Sequence, residues 1–285
     1  MGRWLHSRAG HLDRADQQRN VSISKSILSR CPSKPIRRRG QPGFSIRFAS
    51  RRGPRIEMTG LLISVRSKDE AESVLTACPD LDILDIKEPE GGALGAASPA
   101  IWAKVANLDL HNTCLSVALG DLEHVQVNDL SALPANTAFA KVGLADQHDQ
   151  NWIQAWRAIR VLIADSIELV GVIYADHQAA QAPAPEDIIR LLSQEGCQTF
   201  LIDTYRKTNG GLFDHLPPLQ LKRLFELAPA ATFVLAGSLS ESTILDAKML
   251  EVDYVGVRGA ACSGPREQQI CPEKSKHLLT LVKAS

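Results

Sequence analysis

No C-x-x-C pair occurs among the six cysteines, at 31, 78, 114, 197, 262 and 271, and none has a histidine partner at metal-ligand spacing. That excludes a zinc ribbon and gives no disulfide framework, so reduced thiols and no metal are expected. No run approaches eighteen consecutive apolar residues, so no membrane partner is expected. G-x-G-x-x-G does not follow the first strand-like run and no Walker sequence occurs, which leaves nucleotide binding without a motif. Methionine is scarce as well. Of the three, Met58 stands just ahead of that first strand-like run, L-L-I-S-V at 61–65.

Net charge is absent only on average. Residues 1–57 hold twelve Arg and two Lys against two Asp and one Glu, a net +11, so the remainder carries −11. The two parts are physically different objects. The first is acid-poor, rich in Arg and Ser and broken by Pro and Gly, which predicts a disordered basic extension. Three origins stay open for it: a mis-assigned start with Met58 as the true one, a targeting segment, or a basic arm. Residues 58–285 are long enough for one domain with a large core.

Within that domain, apolar runs suited to buried parallel strands begin near 61, 81, 113, 137, 168, 199, 232 and 252. Helical stretches stand between them: 71–77 behind a Ser67 cap, 99–107, a short one near 128–133, 149–164, 185–194, 217–228, 240–250 and 272–283. Eight strand–helix units in a row predict an α/β fold, a single-domain TIM (β/α)8 barrel. An open doubly wound sheet is the alternative. Trp152 and Trp156, four apart on one helix, read as a core stripe.

In a TIM barrel the chemistry lies at the carboxyl ends of the strands. The second strand delivers Asp85 and Lys87 on one face, followed by G-G-A-L-G-A at 91–96. The fourth delivers Lys141, the fifth Tyr174 and Asp176, and the sixth Asp203 with Lys207 shortly after. Alternate strands share interior layers, so Lys87, Lys141 and Asp203 are expected to converge. Two lysines in an apolar mouth repel each other and lose hydration, which favours a neutral, nucleophilic amine. The second lysine is then a general acid or base, with Asp85, Asp176 or Asp203 steadying an ammonium or iminium. The loops after strands seven and eight bring Gly237, Ser238, Arg258 and Gly259, a set suited to a phosphate group. His124 and His177 read as solvated loop residues and Cys262 as a packed thiol.

These blocks resemble a known family. D-I-K-E-P-E-G-G-A-L-G-A at 85–96, G-D at 120–121, K-V-G-L at 141–144, Y-A-D at 174–176, L-I-D-T-Y-R-K at 201–207, L-A-G-S at 235–238 and V-G-V-R-G-A-A-C at 255–262 are similar to the (5-formylfuran-3-yl)methyl phosphate synthases of methanofuran biosynthesis. The resemblance implies a cytoplasmic lyase of one-carbon metabolism that condenses two molecules of glyceraldehyde 3-phosphate, releasing phosphate and water, with no cofactor. It implies Lys87 as Schiff-base lysine and Lys141 as proton acceptor, with Asp85, Asp203 and Lys207 at further active-site positions. Two positions depart from the family pattern. Glu88 follows the lysine where asparagine is frequent, and Ala93 stands where serine is frequent. A lysine-dependent aldolase for other sugar phosphates and a non-catalytic anion-binding barrel remain alternatives. The expected partner is a phosphorylated small molecule, not a membrane or nucleic acid, and a homo-oligomer stays open.

Overall fold

The computed structural model describes residues 59–148 and 151–284. The basic extension at 1–57 and the boundary at 58 lie outside the described residues. Along the chain run β1 (Gly60–Val65), α1 (Lys68–Ala77), β2 (Ile83–Ile86), α2 (Pro99–Ala106), β3 (Cys114–Asp121), β4 (Thr137–Gly143), α3 (Trp152–Leu162) and β5 (Glu168–Tyr174). There follow α4 (Pro185–Gln194), β6 (Thr199–Asp203), α5 (Leu212–His215), α6 (Pro218–Leu227), β7 (Thr232–Leu235), α7 (Glu241–Lys248), β8 (Tyr254–Val257) and α8 (Pro272–Lys283). All eight strands pair in parallel, and β1 closes on β8 through Gly60–Tyr254 to Ile63–Val257, which makes the expected barrel.

The strands read as unbroken apolar runs because both faces are buried. On β1, Leu61, Ile63 and Val65 point outward to the helices, while Leu62 joins Ile83, Phe139, Val170, Leu201 and Val234 inside the barrel. The outer layer takes Trp102, Trp156, Ile188 and Leu278 from the helices, and Trp152 is buried with Trp156, as their spacing required. Ser67 caps α1, its hydroxyl accepting from the Glu70 amide at 3.2 Å, and Pro99 opens α2 behind Ser98. The β3–β4 connection departs from the regular unit: two 3-10 turns, Leu122–His124 and Val127–Ala132, stand where an α-helix would run. Among the described residues no helix is long and apolar enough to cross a membrane.

Candidate active site

Period-two alternation turns Ser64 of β1, Asp85 of β2, Lys141 of β4 and Asp203 of β6 into the barrel mouth, where they line a cavity of about 310 Å³. Asp85 is fully buried. Its Oδ2 accepts from Ser64 Oγ at 2.9 Å, and its Oδ1 makes an ion contact with Lys141 Nζ at 2.5 Å. Across the cavity, Asp203 Oδ1 takes Lys207 Nζ at 2.5 Å and the Thr204 amide at 2.8 Å. Burial pushes the Asp203 carboxyl up, but the charges of Lys207 and Lys87 outweigh it and hold it below the ordinary carboxylate value.

Lys87 stands one residue past the end of β2, between these two pairs. The cavity therefore brings together three lysines and two aspartates, and each aspartate already holds another lysine. Burial lowers the Lys87 amine to about 7; the charges of Lys207 and Lys141 add to that effect, and those of Asp203 and Asp85 oppose it. Its Nζ donates to the Ala93 carbonyl at 3.4 Å, beneath the glycine loop. That loop is tight, for the Glu88 amide donates to Gly95 O at 2.7 Å. A Cβ on Gly95 would stand 2.1 Å from Glu88 O, so only glycine fits. Gly256 of β8 leaves open another part of the wall, where a side chain would crowd Ala236 and Leu62.

Five of the six residues expected to do chemistry, Asp85, Lys87, Lys141, Asp203 and Lys207, line this cavity. Asp176 does not. Its two carboxylate oxygens accept the amides of Tyr205 at 2.6 Å and Arg206 at 2.9 Å, so it shapes the loop after β6.

Gly237, Ser238, Arg258 and Gly259 all border the cavity. The guanidinium of Arg258 nevertheless has no donor to offer a ligand. Its Nε donates to Arg266 O at 2.6 Å, its Nη1 to Ser64 O at 3.0 Å and Glu70 Oε2 at 2.9 Å, and its Nη2 to Gln268 O at 3.2 Å and Glu70 Oε1 at 3.3 Å. Arginine has five N–H donors, and all five are occupied. The assignment of Arg258 as a direct phosphate ligand is corrected accordingly: it is a buried brace on Glu70. Three contributors carry no signal in the sequence: Ser64, a lone hydroxyl in an apolar strand; Glu70, in the first turn of α1; and Arg266, in the Gly- and Pro-bearing segment that follows Arg258. Among the described residues no His, Cys, Asp or Glu cluster could hold a metal ion.

Fold and cavity together define a TIM-barrel enzyme with amine side chains gathered at the carboxyl-terminal mouth. The chain belongs to the 4-HFC-P synthase family, whose model matches residues 61–279. A Methanococcus aeolicus protein named (5-formylfuran-3-yl)methyl phosphate synthase is 31% identical over 216 residues, covering 71% of this chain and 90% of its own. The Archaeoglobus fulgidus protein of the same name is 27% identical over 234 residues, covering 78% and 98%. Among solved structures, 3-hexulose-6-phosphate synthase from Salmonella typhimurium superposes with a TM-score of 0.53 at 14% identity, over 78% of this chain and 98% of its own. Phosphoribosyl anthranilate isomerase from Thermus thermophilus gives 0.54 at 14%, over 79% and 98%. These two likenesses are of fold alone.

Proposed function

We propose that this enzyme condenses two molecules of glyceraldehyde 3-phosphate into (5-formylfuran-3-yl)methyl phosphate, with release of one phosphate and two waters, as a Schiff-base lyase of methanofuran biosynthesis. The observation that carries the reading is the Lys87 amine, which has no carboxylate partner of its own among the described residues, is buried between two lysine–aspartate pairs and is held at about 7. An amine in that range is substantially neutral at physiological pH and able to attack an aldehyde. The names of the relatives support the product.

In this reading Lys87 adds to the aldehyde of one triose phosphate and water leaves, giving an iminium. The iminium acidifies the adjacent C–H; Lys141, steadied by Asp85, moves the proton, and the phosphate departs from the neighbouring carbon by elimination. The conjugated species adds to the second triose phosphate, ring closure expels two waters to form the furan, and one water hydrolyses the imine, which frees the formyl group and restores the Lys87 amine. Lys207 and Asp203 face Lys87 across the cavity and balance its charge through the cycle.

The test is intact-protein mass after borohydride treatment with glyceraldehyde 3-phosphate, comparing the wild type with Lys87→Ala. The expected result is an adduct that requires Lys87, together with a furan product absorbing in the near ultraviolet. A folded wild type that forms no adduct overturns the imine route, and an adduct without furan product shifts the reading to aldol chemistry on sugar phosphates.

A further inference from the structure

The segment between β8 and α8 folds back on itself. Cys262 and Ile270 form an antiparallel bridge, the Ser263 amide donates to Gln269 O at 3.0 Å, and the Cys271 amide donates to Ala261 O at 2.8 Å. Arg258 gathers this strap from beneath through the carbonyls of Arg266 and Gln268, while Glu70 fixes Arg258 from α1. The buried ion pair thus sets the position of one exposed-loop residue, Arg266.

The Arg266 side chain enters the cavity wall and spans to the loop after β2, where Nη2 donates to Gly92 O at 3.1 Å. Its other N–H donors meet no protein acceptor, and no carboxylate stands within ion-pair distance, among the described residues. Partial burial lowers its pKa from the usual guanidinium value, while the charges of Asp203 and Glu267 oppose that fall. Each of the other cations in the cavity is accounted for: Arg258 by Glu70, Lys141 by Asp85, Lys207 by Asp203, and Lys87 by its role as nucleophile.

A second observation points to the same place. Two neighbouring loops bring Gly237 and Ser238, both in left-handed backbone at φ +102° and +53°, and Gly259 with Ala260 to the cavity. The amides of these four residues donate to no protein acceptor among the described residues. A serine in left-handed conformation is costly and persists where its surroundings demand it. Unoccupied amides beside an unpaired guanidinium suit a tetrahedral dianion.

We propose that Arg266 is the cation that receives the phosphate group of the substrate, jointly with the backbone of the two loops after β7 and β8. The proposal rests on the reading of the substrate as a phosphate ester and assigns which residue recognises it. Its planar fork gives two parallel donors to phosphate oxygens, which a lysine cannot reproduce.

Calorimetric titration with inorganic phosphate tests the assignment on the full chain, using wild type, Arg266→Gln and Arg266→Lys, with circular dichroism to verify each fold. Arg266→Gln is expected to bind phosphate about tenfold more weakly or worse, and Arg266→Lys to fall between. Borohydride trapping of glyceraldehyde 3-phosphate on Lys87 should need a higher concentration in Arg266→Gln than in wild type, by a factor larger than any change seen with unphosphorylated glyceraldehyde. Equal phosphate affinity in wild type and Arg266→Gln, or no phosphate binding by wild type, overturns the proposal. Should Arg266→Gln lose its fold, an Arg266→Lys variant that binds as wild type does equally overturns it. A lost phosphate response with no imine in any variant sinks the Schiff-base reading and leaves the anion site standing.

Discussion

Lys141 Nζ lies 2.5 Å from Asp85 Oδ1 at the centre of the barrel mouth, where the two side chains are 4% and 0% exposed. Asp203 is likewise held by Lys207, so each carboxylate acts on Lys87 only through its charge, and Lys87 has no ion-pair partner of its own among the described residues. Burial, with the charges of Lys207 and Lys141 added to it, is what lowers the Lys87 amine there.

The first prediction concerns pH and chemistry. With the Lys87 amine at about 7, the fraction able to attack an aldehyde rises through neutrality and levels off above roughly pH 8. Single-turnover trapping between pH 5.5 and 9 should show that rise. A rate that climbs only above pH 9 would mean an ordinary lysine.

The second concerns pH and stability. Lys87 is lowered on folding, so between about 7 and 10.5 the unfolded chain binds a proton that the folded one has released, and stability gains with pH across that window. Below about 7 both states are protonated and the full penalty applies, on the order of 5 kcal/mol at about 1.36 kcal/mol per pKa unit. Lys87→Met removes the penalty. Urea denaturation should find it more stable than wild type at pH 6.5, with the margin shrinking toward pH 9.

Ser64→Ala takes from Asp85 its hydroxyl donor and leaves a buried carboxylate oxygen without it, at a cost of about 1–3 kcal/mol. Because Asp85 then loses its orientation toward Lys141, kcat should fall about tenfold with KM little changed, and Ser64→Thr should restore much of it. Steady-state kinetics on the three proteins is the measurement, and an Ala variant with unaltered kcat argues against a positioning role.

Glu70→Gln strips the carboxylate from a guanidinium that is 2% exposed, and such losses typically cost about 3–5 kcal/mol. The strap should loosen with it. Limited proteolysis is expected to cut within 262–271 in the variant and to spare the wild type.

Asp176→Asn keeps the size of the side chain but weakens two charge-assisted bonds to the loop after β6, for a loss of about 1–2 kcal/mol. Imine formation on Lys87 should survive. Complete loss of trapping by a folded Asp176→Asn would restore it to the chemistry.

The barrel was legible because its strands are buried on both faces and read as unbroken apolar runs, with the polar exceptions at their ends. Lys87, Lys141 and Asp203 could be grouped for the same reason, since strand parity alone puts alternate strands in common layers. What sequence could not supply were partners distant along the chain. Arg258 looks like a phosphate ligand until Glu70, 188 residues away, is seen beside it. Asp203 is the last residue of β6, whereas Asp176 lies two residues past the end of β5, where its carboxylate accepts from the amides of Tyr205 and Arg206. α5, four residues long, carries no period to read.

Every strand runs the same way, so the chain enters the barrel at the end remote from Lys87. Thr59 is tied there to Val252 O at 3.1 Å, and Lys283 of the last helix reaches Asp82 at 2.8 Å, just ahead of β2. Thr59 and the last helix therefore both stand at the floor of the barrel. A tag or fusion partner joined directly at Thr59 or after α8 would attach at the end of the barrel remote from the mouth.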